Sequence, residues 1–140
     1  MTEDFFAAKL LKRLDEKPAL QGLIEAMAAS RSVGFDYADD EEAVQHFESE
    51  AQEVAEAFRH ESPGRSISEA GDLMVILVEL VRRRGGDLDD ATRASTGKFL
   101  KRLQFVENKM RSEGKTWKDV GSWKDDVKPN DWDKAKAAGL

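Results

Sequence analysis

Apolar residues in this chain recur every three or four positions almost throughout, and no stretch alternates with period two, which is the signature of helices rather than strands. The spacing predicts a first helix over 3–14 with Phe6, Leu10, Leu11 and Leu14 on one side, and a second from Pro18 to about residue 30. The loop SRSVGFDYADD then leads to a third helix over 41–59, where Val44, Phe47, Ala51, Val54 and Phe58 form the narrow seam of a bundle helix. Pro63 and Gly64 read as its stop. Ser66, three residues ahead of Glu69, suggests a capping box for a fourth helix; its apolar run 73–80 predicts burial nearly all round, and Gly85 and Gly86 suit its end. Asp87 is suited to cap a fifth helix reaching residue 110, with Ala91, Phe99, Leu103, Val106 and Met110 along one stripe. Beyond Gly114 the pattern turns irregular, and Trp117, Trp123 and Trp132 predict a tail that packs across the bundle or onto a neighbouring subunit.

The expected class is therefore all-α, an antiparallel four-helix core. At 140 residues and 40% hydrophobic content, the chain can build one modest core. We expect one domain, with N-terminal helices over 1–30, a functional core over 31–114 and a tryptophan-containing tail over 115–140. No run suits a membrane span, and the start MTEDFFAAKL lacks the order of a signal peptide, so a cytoplasmic protein is expected. The absence of cysteine excludes disulfides, thiolate metal sites and a cysteine nucleophile. A net charge of −6 argues against a nucleic-acid binder.

Acids three apart on a helix share a face and can share a hard cation. Six such pairs occur among the 28 acids, about as many as chance provides, so spacing alone selects none of them. Position against the apolar seams singles out two, Glu50 with Glu53 and Glu69 with Asp72. Unpaired carboxylates beside a bundle interior would cost several kcal/mol each, so these call for cations or metal. For Glu69 a capping role on Ser66 competes evenly. The pairs Asp36/Asp39, Asp39/Glu42, Glu53/Glu56 and Asp87/Asp90 read as solvated or capping acids. With helices ending at residue 60 and starting at 66, the two chosen pairs would sit about 6 Å apart in level. Glu79 lies one heptad after Asp72 inside an apolar run, and a polar contact at a subunit interface is favoured for it over a metal role. Lys98 and Arg102, four apart, could grip a polyphosphate, though solvated surface positions are the commoner fate of such residues. Arg82, Arg83 and Arg84 suit a helix C-terminus, where positive charge is favoured. His46 and His60 are too far apart for a zinc site.

The segments VGFDYADDEEAVQHFESEAQEVAEAF, SEAGDLMVILVELVRRRGGDLDDA and KFLKRLQFVE, in that order, resemble the MazG nucleotide pyrophosphohydrolase domain over 31–107, with Trp132 and Lys136 resembling its closing tryptophan and lysine. The resemblance implies an all-α dimer or tetramer that hydrolyses nucleoside triphosphates to monophosphates and pyrophosphate. Glu50, Glu53, Glu69 and Asp72 match the family's metal-binding positions, implying Mg²⁺, with Mn²⁺ as a substitute. Four carboxylates would overfill one ion, so two or more are expected, and Glu50 or Glu53 would serve as general base. Lys98, Arg102 and Arg65 are the expected phosphate contacts; Phe35 and Tyr37 the expected base contacts; His46 and Glu79 complete the substrate-binding set. Ser49 replaces the first acid of the usual double glutamate, which touches rate and metal stoichiometry more than reaction type, while Ala70 replaces a leucine and Thr96 an asparagine. Two alternatives stand beside this reading: a house-cleaning enzyme narrow for deoxynucleotides such as dUTP, dCTP or a damaged base, and an inactive helical oligomer that binds nucleotide or protein.

Overall fold

Where three of the helices begin is marked by a polar side chain that accepts from the first-turn amides. In the computed structural model, which describes residues 6–119 and 129–140, the elements are α1 (Phe6–Lys12), α2 (Ala19–Ser32), α3 (Asp40–His60), α4 (Pro63–Arg83), α5 (Leu88–Ser112) and α6 (Pro129–Ala137). Short 3₁₀ turns lie at Leu14–Glu16 and Trp117–Asp119, and the described residues contain no strand. Asp39 caps α3, its carboxylate accepting from the Glu42 amide at 2.8 Å. Ser62 caps α4 by accepting from the Arg65 amide, and Pro63 occupies the first turn, where its missing N–H costs nothing. Asp87 accepts from the amides of Asp89 and Asp90 at the start of α5, as its spacing predicted. Gly34 and Gly85, at φ +86° and +78°, provide the left-handed turns that end α2 and α4.

Pro63 therefore starts a helix instead of stopping one, which corrects the reading of this segment. Ser66 lies inside α4, its hydroxyl donating to the carbonyls of Ala57 and Ser62, so the expected capping box with Glu69 does not form. This earlier start also removes most of the level mismatch between the acid pairs. Counting 1.5 Å per residue from His60 and from Pro63, the pair midpoints fall within about 1.5 Å of each other.

The structure divides into two compact units, one running to Ala91 and the other from Thr92 to Leu140. In the first, α3 and α4 are antiparallel partners joined through Glu61 and Ser62, and α2 packs on α4. Ala43, Ala57, Ile76 and Val78 are buried, the small alanines of α3 permitting close approach. The apolar run 73–80 of α4 is buried or half-buried at every position, as expected, whereas earlier on the same helix Ile67 is 74% exposed; on α3, Phe58 is 82% exposed. Leu11 and Leu14, expected on a packed side of the first helix, are likewise exposed.

In the second unit, Val106 and Met110 of α5 pack against Trp132 of α6, and Ala135 is buried. Lys109 pairs with the buried Asp131, and the Trp117 indole donates to Glu107, so two of the three tail tryptophans do make contacts with α5. Trp123 lies outside the described residues. No helix among the described residues is long and apolar enough to cross a membrane.

Candidate metal centre

The antiparallel pairing of α3 and α4 sets the level of every acid on them. Arg83, at the end of α4, donates to Asp40 at the start of α3, and Ser66 donates to Ala57 near the other end. Between these fixed points, carboxylate oxygens of Glu50, Glu69 and Asp72 lie within 4.8 Å of one another. Glu69 is only 6% exposed, Glu50 is half-buried and Asp72 is exposed, so the group opens from the helix interface to solvent.

The partners of these acids leave part of their capacity unused. Glu50 Oε1 is 2.9 Å from His46 Nε2, whereas its Oε2 is buried and has no hydrogen-bond partner. A buried carboxylate oxygen without a donor costs free energy that a cation would recover. Glu69 is paired with Arg65, whose guanidinium also reaches Glu61 at 3.4 Å. An all-oxygen donor set of this kind fits hard divalent cations such as Mg²⁺ or Mn²⁺.

Glu53 is exposed and stands beside this triad. The Glu50 carboxylate, then restricted hydration, then the charges of Glu69 and Asp72 hold the Glu53 carboxyl above its ordinary value of 4.5. The sign of the consequence is fixed. A raised folded pKa contributes stability below pH 4.5 that is lost as pH rises through the folded value, so the metal-free protein loses this contribution on going from pH 4 toward neutrality. A cation bound beside Glu53 would oppose that repulsion, so any rise in melting temperature produced by Mn²⁺ is expected to grow from pH 4.5 to pH 7. Paired melts with and without the ion across that range check it; an increment that is flat or shrinks with pH would contradict it.

The other residues expected at the site divide into three groups. His46 lies one turn before Glu50 and joins it to the loop between α2 and α3: its Nδ1 meets the Tyr37 hydroxyl, and the two rings are 5.5 Å apart. Burial, followed by the charges of Glu79, Glu50 and Glu42, pushes the Tyr37 phenol above its ordinary value, so it keeps its proton. Arg83 also lies 5.9 Å from the Tyr37 ring centre, so this ring is engaged by its own chain, while Phe35 is 80% exposed.

Glu79 is 1% exposed and is held by Arg31 at 3.2 Å and Arg82 at 2.7 Å. Its charge is thus matched within the chain. Arg82 also reaches Asp36, and Arg83 donates to Asp36, Asp40 and the Tyr37 carbonyl. Arg82 and Arg83 do lie in the last turn of α4, and Asp36 is exposed, as read from the sequence; the network adds ion pairs that the sequence reading did not include. One signal was present in the sequence: Arg82 follows Glu79 by three residues, a spacing that makes ion pairs on a helix.

Lys98 and Arg102 belong to the second unit. Lys98 is exposed, whereas Arg102 lies 5.9 Å from the centre of the Trp132 ring and donates to the Leu140 carbonyl at 2.9 Å. A second acidic group, Asp87, Asp89 and Asp90, is explained by capping of α5.

No family model matches the chain. The nucleoside triphosphate pyrophosphohydrolase/pyrophosphatase MazG of Thermotoga maritima is 31% identical to it over 119 residues, a match that takes in 85% of this chain and 44%, less than half, of that protein.

Proposed function

We propose that this chain is a MazG-type nucleoside triphosphate pyrophosphohydrolase, converting a nucleoside triphosphate to the monophosphate and pyrophosphate with Mg²⁺ held by Glu50, Glu69 and Asp72. The observation that carries this reading is the convergence of those three carboxylates from facing helices, with one buried oxygen left unpartnered. The similarity to the Thermotoga maritima protein supplies the reaction class. When bound, a divalent cation neutralises triphosphate charge and makes an attacking water more acidic.

The protein's own groups divide the remaining work. Glu50 is committed on one oxygen to His46, whereas Glu53 stands outside the triad, exposed and next to Glu50. Glu53 is therefore the better placed to take a proton at its carboxylate from the attacking water, with Glu50 acting as ligand. Arg65, exposed beside Glu69, is a cation of the first unit that can present a planar fork to phosphate oxygens. Phe35 offers an uncovered aromatic face for a nucleobase. Exposed Phe58 and Ile67 on α3 and α4 suit a homodimer or a tetramer.

The test is product identification over a panel of ribo- and deoxynucleoside triphosphates with Mg²⁺. Monophosphate and pyrophosphate in equal amounts are expected. Release of diphosphate and inorganic phosphate, or no turnover of any member, would refute the assignment; turnover confined to deoxynucleotides would narrow it to a pool-cleaning enzyme.

A further inference from the structure

His46 touches Glu50 on one side and Tyr37 on the other. A carboxylate can only accept hydrogen bonds, so His46 Nε2 must carry a proton to make its 2.9 Å bond to Glu50 Oε1. In the neutral ring Nδ1 then accepts, and the Tyr37 hydroxyl is its donor. Tyr37 is itself fixed: its carbonyl accepts from Arg83 Nη2 at 3.0 Å, and its amide donates to Asp36 Oδ1 at 2.8 Å. Arg83 in turn spans Asp36 and Asp40, tying the loop to the start of α3 and the end of α4.

The consequence lies at Glu50. Its side chain has several rotatable bonds, and a carboxylate free to turn would lose entropy on binding a cation. The histidine fixes Oε1, which leaves Oε2 as the oxygen with nothing to bind.

We propose that His46 is a positioning residue that holds Glu50 in its cation-binding orientation, and that Tyr37, by setting the histidine tautomer, makes this orientation depend on the loop between α2 and α3. The inference rests on the metal-centre reading above and adds a specific role: His46 and Tyr37 act on Glu50, and Tyr37 does not serve as a free stacking surface for the base. Groups hydrogen-bonded to metal ligands commonly change metal affinity by about 10–100-fold when removed.

The experiment is Mn²⁺ titration of the full chain without nucleotide, followed by the paramagnetic signal of free Mn²⁺, with melting temperature of the metal-free proteins measured in parallel. His46→Ala is expected to weaken binding by about 10-fold or more. His46→Gln, whose side-chain amide can donate to Glu50 from the position of Nε2, should recover most of that loss. Tyr37→Phe should weaken binding by about fivefold, the effect of losing one hydrogen bond. Metal-free melting temperatures should stay close to that of the native sequence in His46→Gln and Tyr37→Phe. Native affinity in His46→Ala overturns the proposal and leaves the metal centre standing. Equal losses in His46→Ala and His46→Gln also overturn it, because they assign His46 to packing. Unchanged affinity in Tyr37→Phe removes the link to the loop. If the native chain itself binds no Mn²⁺, the metal-centre reading falls as well.

Discussion

Replacing Asp72 with asparagine is expected to lower pyrophosphate release by about 10³-fold or more while leaving the fold intact. Asp72 is exposed, and exposed substitutions usually change stability by less than about 0.5 kcal/mol. Its carboxylate is one of three within 4.8 Å, so asparagine takes away a third of the triad's charge and its strongest exposed oxygen donor. Cation stabilisation of a reacting phosphoryl group contributes several kcal/mol, and each 1.36 kcal/mol is tenfold in rate. Asp87→Asn is the matched control. Asparagine caps a helix about as well as aspartate, so this variant should keep both stability and rate. Assays at saturating Mg²⁺ would decide the matter, and a rate near native in Asp72→Asn would remove Asp72 from the site.

Glu79→Ala is expected to destabilise the protein by about 3 kcal/mol, at the lower end of what breaking a buried ion pair costs. The lower end applies because Arg31 and Arg82 retain some access to water and can be rehydrated when their partner is lost. Arg82→Ala should cost less than Glu79→Ala, since Arg31 would still neutralise the buried carboxylate. Urea denaturation at neutral pH measures both. A loss below about 0.5 kcal/mol in Glu79→Ala would mean that the charge network contributes little to holding α2 and the loop against α4.

These two residues show how unevenly the molecule can be read from its sequence. The third helix was legible because its apolar residues step by threes and fours between an acidic start and a basic end, and it occupies nearly the predicted span. Three of the four acids singled out beside the seams, Glu50, Glu69 and Asp72, come together between the helices, while Glu53 stands outside that group, because i,i+3 geometry is local to each helix and does not say which acid faces across. The start of α4 was misread because Pro–Gly serves equally as a stop and, after a capping serine, as a first turn; the bond that the Arg65 amide donates to the Ser62 hydroxyl marks it as a first turn. The pairing of Arg31 with Glu79 spans 48 positions and leaves no periodic trace. His46 was placed among substrate contacts, although its spacing of four from Glu50 already allowed the bond seen here. The burial of the apolar run 73–80 on α4 was legible from its composition, whereas Ile67, outside that run, stays exposed.

The account depends on α3 and α4 gathering their acids around a divalent cation. The most direct measurement is the anomalous scattering of crystals grown with Mn²⁺. A peak within bonding distance, about 2.0–2.2 Å, of Glu50 Oε2 and of oxygens of Glu69 and Asp72 is the predicted result. A fully occupied peak only at Asp87, Asp89 and Asp90, with none between the two helices, would contradict it.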